Sequence, residues 1–110
     1  MAKSIPERVI RGGGNVFADM GLSDAAELDT KARLGAALNL TVKRQRLTQA
    51  QVATALGINQ PKVSALLNYK LEGFSVERLL RFLTALGHDV EIVIRPRPRA
   101  RSARLAVRAA

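Results

Sequence analysis

Cysteine and tryptophan are absent from this chain of 110 residues, histidine occurs once, and only three phenylalanines and one tyrosine supply aromatic surface. Without cysteine there is no disulfide and no thiolate nucleophile, a composition that fits a reducing cytoplasm. A single histidine, His88, and scattered carboxylates assemble neither a metal centre nor an acid–base pair, so no metal, cofactor or catalytic residue is expected and the chain does not read as an enzyme. No apolar run approaches the ~18 residues of a membrane span, and the N-terminus lacks the apolar stretch of a secretion signal. With aromatics at 4% and hydrophobic residues at 47%, aliphatic side chains have to fill the core of one small domain.

Acidic residues are also missing where they matter most. None occurs from 42 to 71, a stretch that carries Lys43, Arg44, Arg46, Lys62 and Lys70. A solvated face normally mixes both signs, so a single-sign face points to a polyanion. The formal charge is +9, but the six arginines from 95 onward account for much of it, leaving +3 on the rest. The segment 12–42 leans the other way, with Asp19, Asp24, Glu27 and Asp29 against Lys31 and Arg33.

Residues 48–70 carry the densest local signals. Thr48 is a helix cap, and Val52, Ala53 and Leu56 share one face behind it. Gly57 is suited to the left-handed turn that ends that helix, with Ile58 plugging the core. Asn59 caps a second helix, and Pro61 occupies its first turn, where a missing N–H is harmless. Val63, Leu66 and Leu67 point inward. Gln60, Ser64 and Asn68 fall four apart on the outer face, beside Pro61, Lys62 and Ala65. Two short helices crossing steeply, with an outer face of short polar and basic side chains, suit the base edges of a major groove.

Around this pair the chain divides simply. Residues 1–15, with three consecutive glycines at 12–14, read as a flexible arm; no strand or Gly-Lys-Ser/Thr accompanies the glycines, so they are not a phosphate loop. A short helical turn at 16–20 pins Phe17 and Met20. Ser23 caps a long helix from 24 to about 46, with Leu28, Ala32, Leu34, Leu38 and Val42 as its inward stripe and only Gly35 to weaken it. Ser75 starts a helix buried through Val76, Leu79, Leu80, Leu83 and Leu86, and Gly87 ends it. The period then becomes two: Val90, Ile92 and Ile94 alternate along a strand at 88–95. No second strand is evident, so the strand is expected to pair with its own copy across a two-fold dimer. Pro96 and Pro98 end it, and 96–110 reads as a disordered basic tail. The expected fold is all-α: five helices over 16–87 with a helix-turn-helix at 48–67, plus one C-terminal dimerisation strand.

The pieces Leu34-Gly35, Leu47-Thr48-Gln49, Val52-Ala53, Leu56-Gly57-Ile58, Gln60 and Val63-Ser64 resemble the XRE-type helix-turn-helix of phage-repressor-like regulators. Residues 14–98 as a whole look like the HigA-type antitoxins of toxin–antitoxin modules. The pieces that match there are 15–22, 60–67, 73–83 and 89–94. The resemblance implies a homodimer that binds double-stranded operator DNA, represses its own operon and silences a small mRNA-cleaving toxin. A stand-alone repressor without a toxin is the alternative. Carried onto this chain, the DNA-binding set is Lys43, Arg44, Thr48, Gln49, Gln60, Pro61, Lys62, Ser64, Asn68 and Lys70. The dimer contact is Val90, Ile92 and Ile94, and the acidic segment with Phe17, Asp19, Asp24 and Glu27 is the toxin surface. One departure is Arg46, where such regulators often have glycine.

Overall fold

The computed structural model describes residues 8–10, 24–100 and 102–109. In chain order they form β1 (Arg8–Ile10), α1 (Asp24–Arg44), α2 (Gln49–Leu56), α3 (Gln60–Leu67), α4 (Val76–Ala85) and β2 (Ile92–Ile94). The turn expected at 16–20 and the cap expected at Ser23 lie outside the described residues, so four of the five expected helices are seen.

The core is aliphatic with two aromatic rings. Leu34 and Leu38 of α1, Leu66 of α3, Val76, Leu79, Phe82 and Leu83 of α4, and Leu71, Phe74 and Leu86 from the connections form one buried cluster. Helix α1 lies chiefly against α4, and α2 against α3. Phe74 and Phe82 meet edge to face with ring centroids 5.9 Å apart. The Arg78 guanidinium covers both, 5.3 and 5.5 Å from their centroids, so its charge stays near solvent while its stem shields the rings.

The inward face of α1 differs from the expected one. Leu34 and Leu38 are buried, but their companions are Thr30 and Thr41, while Leu28 is 61% exposed and Ala32 is exposed. The helix carries apolar residues on two sides, and Leu28 lies six residues before Leu34, far round the helix from the buried row. The two threonines are tolerated inside because each hydroxyl donates back to the carbonyl four residues earlier, Thr30 to Ala26 and Thr41 to Ala37, both at 2.8 Å. Thr41 then accepts from His88: its own proton is committed to Ala37, so the 2.7 Å contact makes His88 Nε2 the donor. The Gln45 amide donates to the Leu86 carbonyl at 3.0 Å. These two bonds tie the end of α1 to the end of α4, and they give the lone histidine a structural role.

All four helices close in the same way. A left-handed residue follows each: Arg46 (φ 53°), Gly57 (φ 69°), Tyr69 (φ 60°) and Gly87 (φ 98°). The next amide in each case reaches back five residues: Leu47 to Val42, Ile58 to Ala53, Lys70 to Ala65 and His88 to Leu83. This double closure satisfies carbonyls that a helix end leaves bare. Glycine adopts the conformation freely at 57 and 87, whereas Arg46 and Tyr69 adopt it against a Cβ penalty. Arg46 therefore does not blur the boundary of α1; it ends the helix as glycine would, at a cost in strain.

The strand is shorter than expected, three residues, and it has a partner in its own chain. Strand β1 pairs antiparallel with β2 in the register Arg8↔Ile94, Val9↔Val93, Ile10↔Ile92. This corrects the expectation of a strand with no partner within its chain, and it places residues 8–10 of the supposed flexible arm. Three residues are too few to show a period of two, which is why β1 is invisible to pattern reading. Along β2 the expected alternation holds, with Val90, Ile92 and Ile94 half-buried and Val93 exposed. Further on, Val107 packs against the core cluster, so the basic tail is anchored at that point.

Replacing Arg46 by glycine is expected to raise unfolding stability by about 0.5–1 kcal/mol, the left-handed strain relieved less the added chain entropy of glycine. A urea titration of the two proteins checks this. An unchanged or lower midpoint would mean that the arginine side chain supplies more at this corner than the strain removes.

Candidate nucleic-acid interface

The face built by α2, α3 and the turns around them is positioned by three caps. Thr48 Oγ1 accepts from the Gln51 amide at 3.1 Å, and Gln51 Oε1 accepts from the Thr48 amide at 2.8 Å, a reciprocal box at the start of α2. Asn59 Oδ1 accepts from the Lys62 amide at 2.9 Å at the start of α3, and Pro61 lies in the first turn. Between the helices, Gly57 takes the left-handed conformation and half-buried Ile58 packs against the core, as its place in the turn predicts. Val52 and Val63 have zero exposure and hold the two helices to the body of the domain.

What this leaves outside is the expected face. Gln49, Gln60, Pro61, Lys62, Asn68 and Lys70 are exposed, and Ser64 is half-buried. Lys43 and Arg44 are exposed in the last turn of α1. Neither α2 nor α3 has an acid in its first turn, so the partial positive charge of each N-terminus is not neutralised locally. The set predicted from the sequence is thus brought to the surface, with differing freedom. The Thr48 hydroxyl is engaged in its cap, and the Asn68 side-chain amide donates to the Ser64 carbonyl at 2.8 Å. Among the described residues the side chains of Gln49, Gln60, Lys62 and Lys70 make no such bond and are the more available donors and acceptors.

Pattern reading missed the neighbourhood of Tyr69. This residue is 50% exposed, and its ring lies 3.4 Å from where a Cβ on Gly35 would stand; Leu71 is 3.3 Å from the same point. Gly35 therefore does not break α1 but lets the loop after α3 settle onto it. Beside Tyr69 is an open hollow of about 500 Å³ lined by Asn39, Leu40, Val42, Lys43, Arg46, Leu47 and Tyr69. No sequence signal marks it, since its residues come from two distant stretches. Of the residues expected to meet a toxin, Phe17 and Asp19 lie outside the described residues, while Asp24 and Glu27 form the acidic first turn of α1. Among the described residues there is no cluster of histidines and carboxylates able to hold a metal ion, and no helix long and apolar enough to cross a membrane.

Two capped helices joined by a three-residue glycine turn, with a basic and acid-free outer face, define a helix-turn-helix domain. The family model described as a helix-turn-helix domain matches residues 16–95. A solved structure named as an XRE family transcriptional regulator is 64% identical, with a TM-score of 0.78, and the match covers 80% of this chain and 100% of that one. No curated protein matches. The chain belongs to the XRE family of helix-turn-helix proteins.

Removing the side-chain oxygen of a cap that the interface relies on is expected to lower stability: Asn59→Ala by about 1 kcal/mol. Denaturant unfolding reads the loss; a change within error would mean that the cap bond at 2.9 Å contributes nothing net.

Proposed function

We propose that the protein is a sequence-specific DNA-binding transcription regulator acting as a dimer. The observation that carries this reading is the outward face of α3, where Gln60 and Lys62 stand exposed on a helix held by buried Val63 and Leu66. In the proposed complex, α3 enters the major groove. Gln60, with Gln49 beside it, reads base edges, a glutamine amide matching adenine in two places. Lys62, Lys70, Lys43 and Arg44 contact phosphates on either side, and the uncompensated N-termini of α2 and α3 add to the attraction. Two copies on a palindrome place their α3 helices about 34 Å apart. Among the described residues β1 occupies one edge of β2, so pairing of two β2 strands through Val90, Ile92 and Ile94 is proposed for the opposite edge.

The finer reading is an antitoxin that also silences an mRNA-cleaving toxin encoded beside it. It rests on the resemblance of residues 14–98 to HigA-type antitoxins and on the acidic start of α1, where Asp24 and Glu27 complement a basic partner. The match to a transcriptional regulator supports equally a repressor with no toxin.

Gln60→Ala is expected to weaken binding by about 1–3 kcal/mol and to relax preference at one base position, while Lys70→Ala weakens all duplexes alike and lowers the salt slope by about one. Titration of an operator library at several salt concentrations separates the two. Equal, sequence-independent losses would refute the recognition assignment. For the antitoxin reading, co-expression with the adjacent gene product is the assay. Asp19→Lys with Glu27→Lys should abolish rescue from toxicity while leaving operator binding intact; full rescue would remove that segment from the toxin surface.

A further inference from the structure

Among the described residues, helix α1 carries a second apolar row that the core does not use. Leu28, Ala32, Ala36 and Leu40 follow one another at intervals of four, and all are exposed, Leu28 at 61% and Leu40 at 46%. Residues at that interval lie on one side of a helix. Read in either direction the row is the same, leucine–alanine–alanine–leucine, centred on the level of residue 34. The charges flanking it are not the same in both directions. The first turn carries Asp24 and Glu27, and the last carries Lys43 and Arg44.

These features fit one occupant, a second copy of the same helix running the opposite way. We propose that α1 pairs antiparallel with α1 of another molecule about a two-fold axis at the level of residue 34. In that register Leu28 of each copy faces Leu40 of the other, and Ala32 faces Ala36, whose small side chains allow close approach of the backbones. Asp24 meets Arg44, so the acidic end of each helix lies on the basic end of its neighbour. The hollow completes the match. Leu40 is part of its wall, together with Lys43, Arg46 and Tyr69, and its volume of about 500 Å³ gives the incoming Leu28 a place beside an exposed aromatic ring. A parallel pairing would set acid on acid and base on base.

The contact is small. Four short side chains per copy bury less than the ~1,600 Å² of a standard interface, so it is weak in dilute solution and takes effect when two molecules are held close together. On a duplex carrying adjacent sites it would act between neighbouring molecules. That last consequence rests on the proposed function; the pairing itself does not.

Two measurements on the full-length protein, without DNA, test the proposal. Sedimentation equilibrium should show a concentration-dependent association step whose dissociation constant rises at least tenfold in Leu28→Glu and in Leu40→Glu, with helix content by circular dichroism retained. The chain has no cysteine of its own, so Ala32→Cys and Ala36→Cys proteins of different mass, mixed and oxidised, report the register independently of those variants. Mixed disulfides should exceed like pairs several-fold. A statistical mixture of mixed and like pairs overturns the proposal, as does a protein none of whose association steps is weakened by Leu28→Glu. A protein that stays monomeric at every concentration hands the row to a different partner and also overturns it. Binding of Leu28→Glu to a single operator half-site is expected to equal that of the parent, so loss of self-association and loss of DNA recognition remain distinguishable.

Discussion

Exclusion of Val52 and Val63 from water is the constraint on which the outer face depends. Both belong to eight-residue helices, too short to persist alone. Each helix is held by its cap at one end, its left-handed residue at the other, and burial of an apolar side in between. Full burial of a valine side chain contributes roughly 1.5–3 kcal/mol, against about 1 kcal/mol for a typical cap. The caps then decide where each helix begins, and so which residues point outward. Gln60 is exposed at the first position of α3 because Asn59 has already ended the turn.

The legible parts of the chain were those whose causes are local. Thr48, Gly57, Asn59, Ser75 and Gly87 declare helix ends by their own chemistry, and each occupies the expected place. The outer face of α3 followed from those ends, because four-residue spacing fixes its side once the first residue is known. The features that pattern reading did not deliver depend on distant residues. Helix α1 has two apolar rows, and nothing within it says which one meets α4. Two threonines lie in the buried row because helix carbonyls satisfy them, a polar signature that argues against burial when read by hydropathy alone. Strand β1 is three residues long and is defined by its partner more than eighty residues away. The hollow beside Tyr69 unites the end of α1 with the loop after α3.

Electrostatically the domain is divided along α1. Its acidic first turn and basic last turn each favour the helix dipole, and the pairs Glu27–Lys31 and Asp29–Arg33 at 3.9 and 2.9 Å follow the favourable order of acid before base. Asp29–Arg33 is exposed and adds little to stability, and Glu27–Lys31, partly covered, is a long contact. Their effect is rather to confine the free positive charge to the far end of the helix, next to α2 and α3. The charged side chains of the helix therefore attract anions toward its last turn and cations toward its first.

Gly35 fixes the height of a loop. The empty space where its Cβ would stand is what allows the side chains of Tyr69 and Leu71 to come within 3.4 and 3.3 Å of that position. Lys70 sits between them. One methyl group at position 35 would therefore press on the side chains that flank this lysine and oblige them to give by tenths of an ångström, changing how the loop is seated without altering any residue in it. The seat of the loop is thus gauged from beneath, by an atom that is not there.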